Sequence, residues 1–485
     1  MKAMTMTRAS RRLQLTIVAA AAWALTGCAS VDFKQTLQDT NQQTRGFTQG
    51  KLELGRTAEQ RQARAKLSSE LLAKPLGMDD AVQLALANSP AVQTLLAQSW
   101  VAMAEANQSG RITNPVFTFE RTRLGGELEL NRLLSFGLLD LLTLPQRQVI
   151  AQSRTAQAKV QLAANVVEQV TQVRQSWVRA VSAQQSLQYA EQINTTAGAS
   201  AELAKRMQQV GNFNKLQRAR QQVFSADAVT RLAGAKQAAT ATREELTRQL
   251  GLTDAQAAEL KLPERLPDLP KAPQPIEAIN SAAPDQRLDV QMARNQLDVA
   301  GKSQGLALLN SLVDVELGFR RDTVFENAPG GATSSTRKGS ELGIRLPIFD
   351  WGNGKRDAMN ATSLAAASRY ESTVRGATSQ LRQSYSAYRT AYDVARHYRD
   401  EVLPLRQMMA EENTLRYNGM LISVFQLLAD NRDQISSVIA AIDAYQQFWL
   451  ADAALSASMI GKPTIMLMAP TMASGPGGAS EAAGH

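Results

Sequence analysis

Apolar residues return along most of this chain with the spacing of one helix face. From Val374 they recur at every seventh position as Val374, Leu381, Tyr388, Ala395, Val402 and Met409, with Ala377, Ser384, Ala391, Tyr398 and Leu405 three further on. This is a coiled-coil seam sustained over five heptads. An earlier stretch has the same spacing at Val160, Ala163, Val167, Val170, Trp177 and Val181, with Arg174 interrupting it. Small residues at many seam positions let helices pack closely, and a second stripe of alanines predicts contacts on both sides of each helix. Pro404 predicts a kink or a local loosening in the second seam.

Two helices are predicted from Pro145 to Gly211 and from Pro347 to Gly419, each of roughly 65 to 70 residues and about 100 Å at the α-helical rise. The others are about half as long: Met78 to Gly110, Asn212 to Leu250, Pro275 to Asn310 and Leu421 to Ile460. Two short helices laid end to end match one long one, so the expected body is a rod in which long helices turn at Gly211 and Gly419 and return as stacked short ones. Each glycine stands where a helix must stop and reverse, a position that favours a left-handed cap.

At the opposite end the period changes from helical to alternating. Phe117-Thr118-Phe119-Glu120 and Glu127-Leu128-Glu129-Leu130 flank Gly125-Gly126, and Val315, Leu317 and Phe319 are followed later by Leu342, Ile344 and Leu346 in the same alternation. Asn327 to Ser340, rich in Gly, Ser and Thr, reads as an exposed loop between the last two strands. Each strand has one apolar and one charged face. This pattern suits a soluble sandwich or, with a membrane anchor, a transmembrane barrel. Four strands cannot close a barrel, because open edges in lipid leave backbone groups unpaired, so several chains must complete it.

The back half repeats the front. Gly211 in Met207-Gln208-Gln209-Val210-Gly211-Asn212-Phe213 matches Gly419 in Arg416-Tyr417-Asn418-Gly419-Met420-Leu421, and Gly251 and Gly461 follow at similar distances. Asn114 to Phe119 matches Leu312 to Leu317, and Leu144-Pro145 and Leu346-Pro347 close the strand pairs. A duplicated unit of this length implies two pseudo-equivalent halves of one architecture: residues 76–262 with strands near 115–140, and 263–462 with strands near 313–347.

Composition changes this picture little. Aromatics are 5% of the chain, too few for a thick conventional core and suited to helices with narrow seams. The formal charge of +9 includes Lys2, Arg8, Arg11 and Arg12, and without that leading segment it is +5, which does not point to nucleic acid. These cations precede the apolar run Leu13 to Leu25, which has the shape of a secretory signal peptide over residues 1–27. It ends in Leu25-Thr26-Gly27-Cys28, which resembles the lipobox of bacterial lipoproteins, where the cysteine is acylated and becomes the first mature residue. Cys28 is the only cysteine, so no disulfide can form within the chain. Ala29 rather than aspartate resembles the outer-membrane form of that signal. Residues 28–75 read as a polar, Gln-rich, extended or partly helical tether, and 463–485 as a disordered tail.

Leu346-Pro347-Ile348-Phe349-Asp350-Trp351-Gly352 and Tyr417-Asn418-Gly419-Met420-Leu421-Ile422-Ser423-Val424, with the repeat, resemble the TolC-like outer-membrane factors, the exit ducts of tripartite efflux pumps and type I secretion systems. The resemblance spans roughly 76 to 462. It implies a mainly α chain with a small membrane β part: a homotrimer whose twelve-stranded barrel, four strands per chain, continues into a helical tunnel through the periplasm. It implies outer-membrane lipid, a periplasmic adaptor (membrane fusion) protein and an inner-membrane pump as partners, with no cofactor, metal or nucleic acid. Adaptor docking falls on the tip residues Gly211, Asn212, Asn418, Gly419, Met420 and Ser423. Some members narrow the entrance with two aspartates after the second tip. The glycine register puts Phe425 and Leu428 there, so cation selectivity does not carry over. These two either line an apolar constriction or pack in the helix pair. Asp430 and Asp433 form either a displaced acidic ring or solvated helix charges.

Two other classes are weighed against this. Only His397 and His485 supply imidazole, and the carboxylate pairs Glu244-Glu245 and Glu411-Glu412 diverge on their helices, which argues against an enzyme. A lipid-anchored structural coiled coil would explain the long helices but not the twin strand pairs.

Overall fold

In the computed structural model, residues 32–125, 127–275, 286–328 and 331–462 are described. The signal segment, Cys28 and the tail from 463 lie outside them. The element order is α1 (Phe33–Thr48), α2 (Ala58–Leu72), α3 (Met78–Asn88), α4 (Pro90–Gln108), β1 (Val116–Leu124), β2 (Glu127–Gly137), α5 (Leu138–Leu142), α6 (Leu144–Gln209), α7 (Lys215–Leu250), α8 (Asp254–Glu259), α9 (Leu288–Leu312), β3 (Asp314–Ala328), β4 (Gly331–Arg345), α10 (Asn353–His397), a π-helical turn (Tyr398–Val402), α11 (Leu403–Asn418) and α12 (Val424–Ile460). Long helices and a four-stranded antiparallel sheet are thus both present, in the expected order.

The second long helix starts at Asn353 rather than Pro347, and three further boundaries differ from expectation for local reasons. The helix expected from Met78 to Gly110 is two, because Ser89 adopts an extended conformation before Pro90, as a residue preceding proline tends to. The glycine- and serine-rich stretch up to Ser340 is not a loop: β4 pairs with β3 from Ala328↔Gly331 to Asp314↔Arg345. The second long helix is interrupted before Pro404, where the Leu403 N–H donates to the Tyr398 carbonyl five residues back. The proline ring cannot continue the α-helical bonding, and a π turn absorbs the misfit. This turn also shifts the seam by one residue. Leu403, Arg406, Ala410 and Asn413 are half-buried, while the expected Leu405 and Met409 are exposed.

The chain divides into two compact units. The first takes the chain up to Ser68, Leu86–Val166 and Leu288–Gly376, and holds the sheet. Within it, the segment expected as a tether forms α1 and most of α2. Helix α1 buries a threonine stripe whose hydroxyls donate to carbonyls one turn back, Thr40 to Thr36 at 2.9 Å and Thr44 to Thr40 at 2.8 Å, so no burial penalty is left uncompensated. Phe33 stacks on Trp100 at 5.8 Å.

The second unit takes Ser69–Ala85, Val167–Arg287 and the chain from Ala377. Its core joins Leu381, Tyr388, Tyr392, Ala395, Phe448 and Leu455 with Leu269. The proline-rich connector after α8 is strapped along this core. The Tyr392 hydroxyl donates to the Pro270 carbonyl at 3.1 Å, the Trp449 indole N–H donates to the Pro267 carbonyl at 3.1 Å, and the Gln274 N–H donates to the Tyr388 hydroxyl at 3.1 Å. Prolines leave carbonyls without a helical partner, and the polar ends of buried aromatics supply donors to them.

Candidate functional site

The sheet runs β1-β2-β3-β4, every neighbour antiparallel. Alternation assigns its faces. One carries Phe117, Phe119, Leu130, Leu134, Phe136, Val315, Leu317, Phe319, Leu342 and Ile344. The other carries every carboxylate of the four strands, Glu120, Glu127, Glu129, Asp314, Glu316, Asp322, Glu326 and Glu341, joined by Arg320 on Asp322 at 2.8 Å and Arg345 on Asp314 at 3.1 Å. Phe117, Phe119, Phe319, Leu342 and Ile344 are exposed in the isolated chain. β1 and β4 are the sheet edges, and within the chain each pairs on one side only.

Where β4 returns to helix, the apolar exposure intensifies. Leu346, Ile348, Phe349 (98% exposed) and Trp351 form a bare apolar belt. Gly352 ends it at φ +70, its N–H donating to the Asp350 carboxylate at 2.8 Å. The backbone conformation favours glycine, and a Cβ there would also stand 2.9 Å from a Leu312 methyl and push that side chain aside.

The two helical turns lie in the second unit. After α6, Gly211 has φ +82; its N–H donates to Gln208 at 3.1 Å and that of Asn212 to Met207 at 2.8 Å. These are the two bonds of a Schellman cap. Asn214 then caps α7, exchanging bonds with Gln217. After α11 the same two bonds run from Met420 to Tyr417 at 2.9 Å and from Leu421 to Arg416 at 2.8 Å. The left-handed residue is therefore Met420, at φ +60, and not Gly419, whose φ is −80. The expectation for Gly419 fails because α11 extends to Asn418 and moves the cap one residue on. Ser423 caps α12, accepting from the Gln426 N–H at 3.3 Å. Asn212, Asn418 and Ser423 are exposed; Val210 and Leu216 are exposed at the first turn, and Leu415, Leu421 and Met420, the last 93% exposed, at the second.

Of the expected constriction residues, Leu428 is half-buried and the Phe425 side chain lies outside what is described. Asp430 accepts from the Asn413 amide at 2.6 Å, and Asp433 lies 3.8 Å from the Arg406 guanidinium, so both acids tie α12 to α11. Arg432 beside them stacks on Phe224 at 4.3 Å and donates to Gln221 at 2.9 Å, and burial lowers its pKa.

Sequence reasoning missed one ionic group. Asp452 on α12 is largely buried, and desolvation, opposed by Arg174, raises its pKa to about 6. Arg174, which breaks the first seam, is the same residue whose guanidinium lies 3.8 Å from Asp79. A charged residue at a seam position was the available signal for a buried acid nearby.

Residues 280–420 match the outer membrane efflux protein family model. No curated protein matches the chain in sequence. Its fold is similar to that of the outer membrane protein VceC of Vibrio cholerae, at 15% identity and TM-score 0.63 over 79% of this chain and 96% of that one. The Campylobacter jejuni CmeC outer membrane channel is similar at 14% identity and TM-score 0.63 over 83% and 86% of the two chains. The open-state Neisseria gonorrhoeae MtrE outer membrane channel is similar at 16% identity and TM-score 0.59 over 80% and 90%.

Proposed function

We propose that this chain, with an outer membrane efflux protein segment at 280–420 and the fold of the TolC-like outer-membrane channels, is the exit duct of a tripartite efflux pump. The observation that carries the reading is the sheet: two open edges, one face that is apolar over its half nearest the helices, and one acidic face. Such a sheet survives in lipid only when its edges are paired, and β1 of one copy is antiparallel to β4 of the next in a ring of copies. Two copies would give eight strands, whose interior is filled by side chains, so a water-filled lumen lined by the acidic face needs at least three. A homotrimer of twelve strands is the smallest ring that conducts. Phe349 and Trp351 then form part of the aromatic girdle on the helix side of the membrane.

Cys28 is read as the acylated first residue that anchors the mature protein to outer-membrane lipid, with the helices in the periplasm. At the other functional end, Gly211, Asn212, Asn418, Gly419, Met420 and Ser423 are read as the surface met by a periplasmic adaptor, which links the duct to an inner-membrane pump. The exposed Val210 at the first turn and Leu415, Met420 and Leu421 at the second support docking there, since bare apolar side chains clustered at a turn mark interaction surfaces. Photo-crosslinkers placed at Asn212 and Ser423 in living cells test this reading. Crosslinks to a periplasmic adaptor, with cells lacking the protein retaining toxic small molecules, are the expected result. A folded assembly that gives neither would overturn it.

A further inference from the structure

The apolar face of the sheet changes character toward the hairpin ends. The pairings Phe119↔Arg132, Arg132↔Arg321 and Arg321↔Lys338 set three cations side by side on consecutive strands. Arg121 and Arg123 follow on the same face, one and two rows nearer the hairpin tips. No carboxylate of the strands shares that face, and among the described residues none of these five cations has an ion pair; the only polar side-chain contact is Arg132 donating to Thr323 at 3.4 Å. Like charges on directly opposed positions, with strands ~5 Å apart, repel one another unless an anion lies between them. The opposite face has carboxylates in plenty, so the segregation is a property of this face and not of a uniformly basic sheet.

Position along the strand indicates where that anion comes from. Between Leu346 and Lys338 the outward face is apolar but for Ser340, a climb of roughly 20 Å for a tilted strand, close to the height of the apolar band of an outer-membrane barrel. The cation row therefore begins where the hydrocarbon ends, on the side away from the helices. Long basic side chains there lay their stems on the apolar face and carry their charge to the headgroup level.

Resting on the duct reading, we propose that Arg132, Arg321 and Lys338, with Arg121, bind the phosphate groups of a phosphorylated glycolipid in the outer leaflet. Guanidinium groups match phosphate oxygens in bidentate fashion, and two phosphates on one headgroup would relieve the repulsion along the row. Lipid so held would also seal the outward face around the barrel.

The test uses the full-length protein in detergent with diphosphoryl lipid A, its dephosphorylated form, phosphatidylcholine and inorganic phosphate as separate probes, with retained lipid counted by native mass spectrometry. Retention of diphosphoryl lipid A alone is expected. Arg132→Gln with Arg321→Gln and Lys338→Gln should cut it by about tenfold or more, as loss of several charge-assisted contacts implies, while Arg337→Gln on the acidic face should leave it unchanged. Should the triple variant fail to assemble, Arg321→Gln and Lys338→Gln singly are each expected to lower retention. Equal retention by the variants, equal retention of dephosphorylated lipid or phosphatidylcholine, or displacement of the lipid by equimolar inorganic phosphate would each overturn the proposal. Heat-resistant trimers on gels report the duct reading separately: trimers without lipid retention sink this inference alone, and the absence of trimers sinks both.

Discussion

The two helical hairpins, α6 with α7 and α10–α11 with α12, reverse the chain through the same pair of backbone bonds but with different residues at the left-handed position. In the first, glycine occupies it at φ +82, and in the second methionine does so at φ +60. Methionine has a Cβ that makes this conformation costly, by about 1–2 kcal/mol, and it stands almost bare to solvent. The second hairpin also contains the π turn and the buried Asp452, neither of which has a counterpart in the first. The two turns share their hydrogen bonding, and the backbone strain lies in the second. Strained, exposed residues that persist are commonly part of a working surface.

The largest effect should come from Asp452. Its carboxyl has a folded-state pKa of about 6 against an ordinary value of 3.8. The folded state therefore holds the proton more tightly, and stability falls as pH rises from about 4 through 6. Asp452→Asn removes that penalty and leaves Arg174 beside Asp79. The variant should be more stable by up to about 3 kcal/mol above pH 6, and by little at pH 4. Thermal unfolding at the two pH values measures this, and an equal shift at both would contradict it.

Next come the caps. Gly211→Val should lower stability by about 1–2 kcal/mol, since a β-branched residue resists the left-handed region although nothing crowds the site. Met420→Gly should raise it by roughly 0.5–1 kcal/mol by relieving the same strain. If Met420 contacts an adaptor, that variant gains stability while losing crosslinks and export. The smallest effect belongs to Gly419→Ala, expected within about 0.5 kcal/mol of neutral because φ is already negative there. A large loss at Gly419 with none at Gly211 would invert the assignment of the caps. Denaturant titration of the four proteins separates these outcomes.

Much of this fold was legible in the residues. Heptads gave the long helices because helix packing needs periodic burial, and Leu-Pro with alternating Phe117, Phe119, Leu317 and Leu342 gave the strand ends because a sheet face must be uniform. What escaped depended on a single residue of register. The π turn before Pro404 turned Leu405 and Met409 outward and brought Leu403 and Ala410 in, which a fixed seven-residue count cannot foresee. Glycine at 419 suggested the cap by its chemistry, yet the helix ran on to Asn418 and placed Met420 there. The cation row Arg132, Arg321 and Lys338 is invisible along the chain, since the three are brought together only by strand register across residues far apart in sequence. Strand β4 is not legible in its serine- and glycine-rich half because its partner β3, not its own composition, holds it extended.

Conductance across a planar bilayer is the most direct test that this sheet completes a membrane barrel with copies of itself. The purified full-length protein should insert as a trimer and give discrete, long-lived conductance steps, and charge reversal on the acidic face, such as Glu129→Lys with Glu341→Lys, should change the ion selectivity of those steps while leaving the trimer intact. A folded protein that reaches the bilayer and passes no current, or whose selectivity ignores the acidic face, would contradict the assignment.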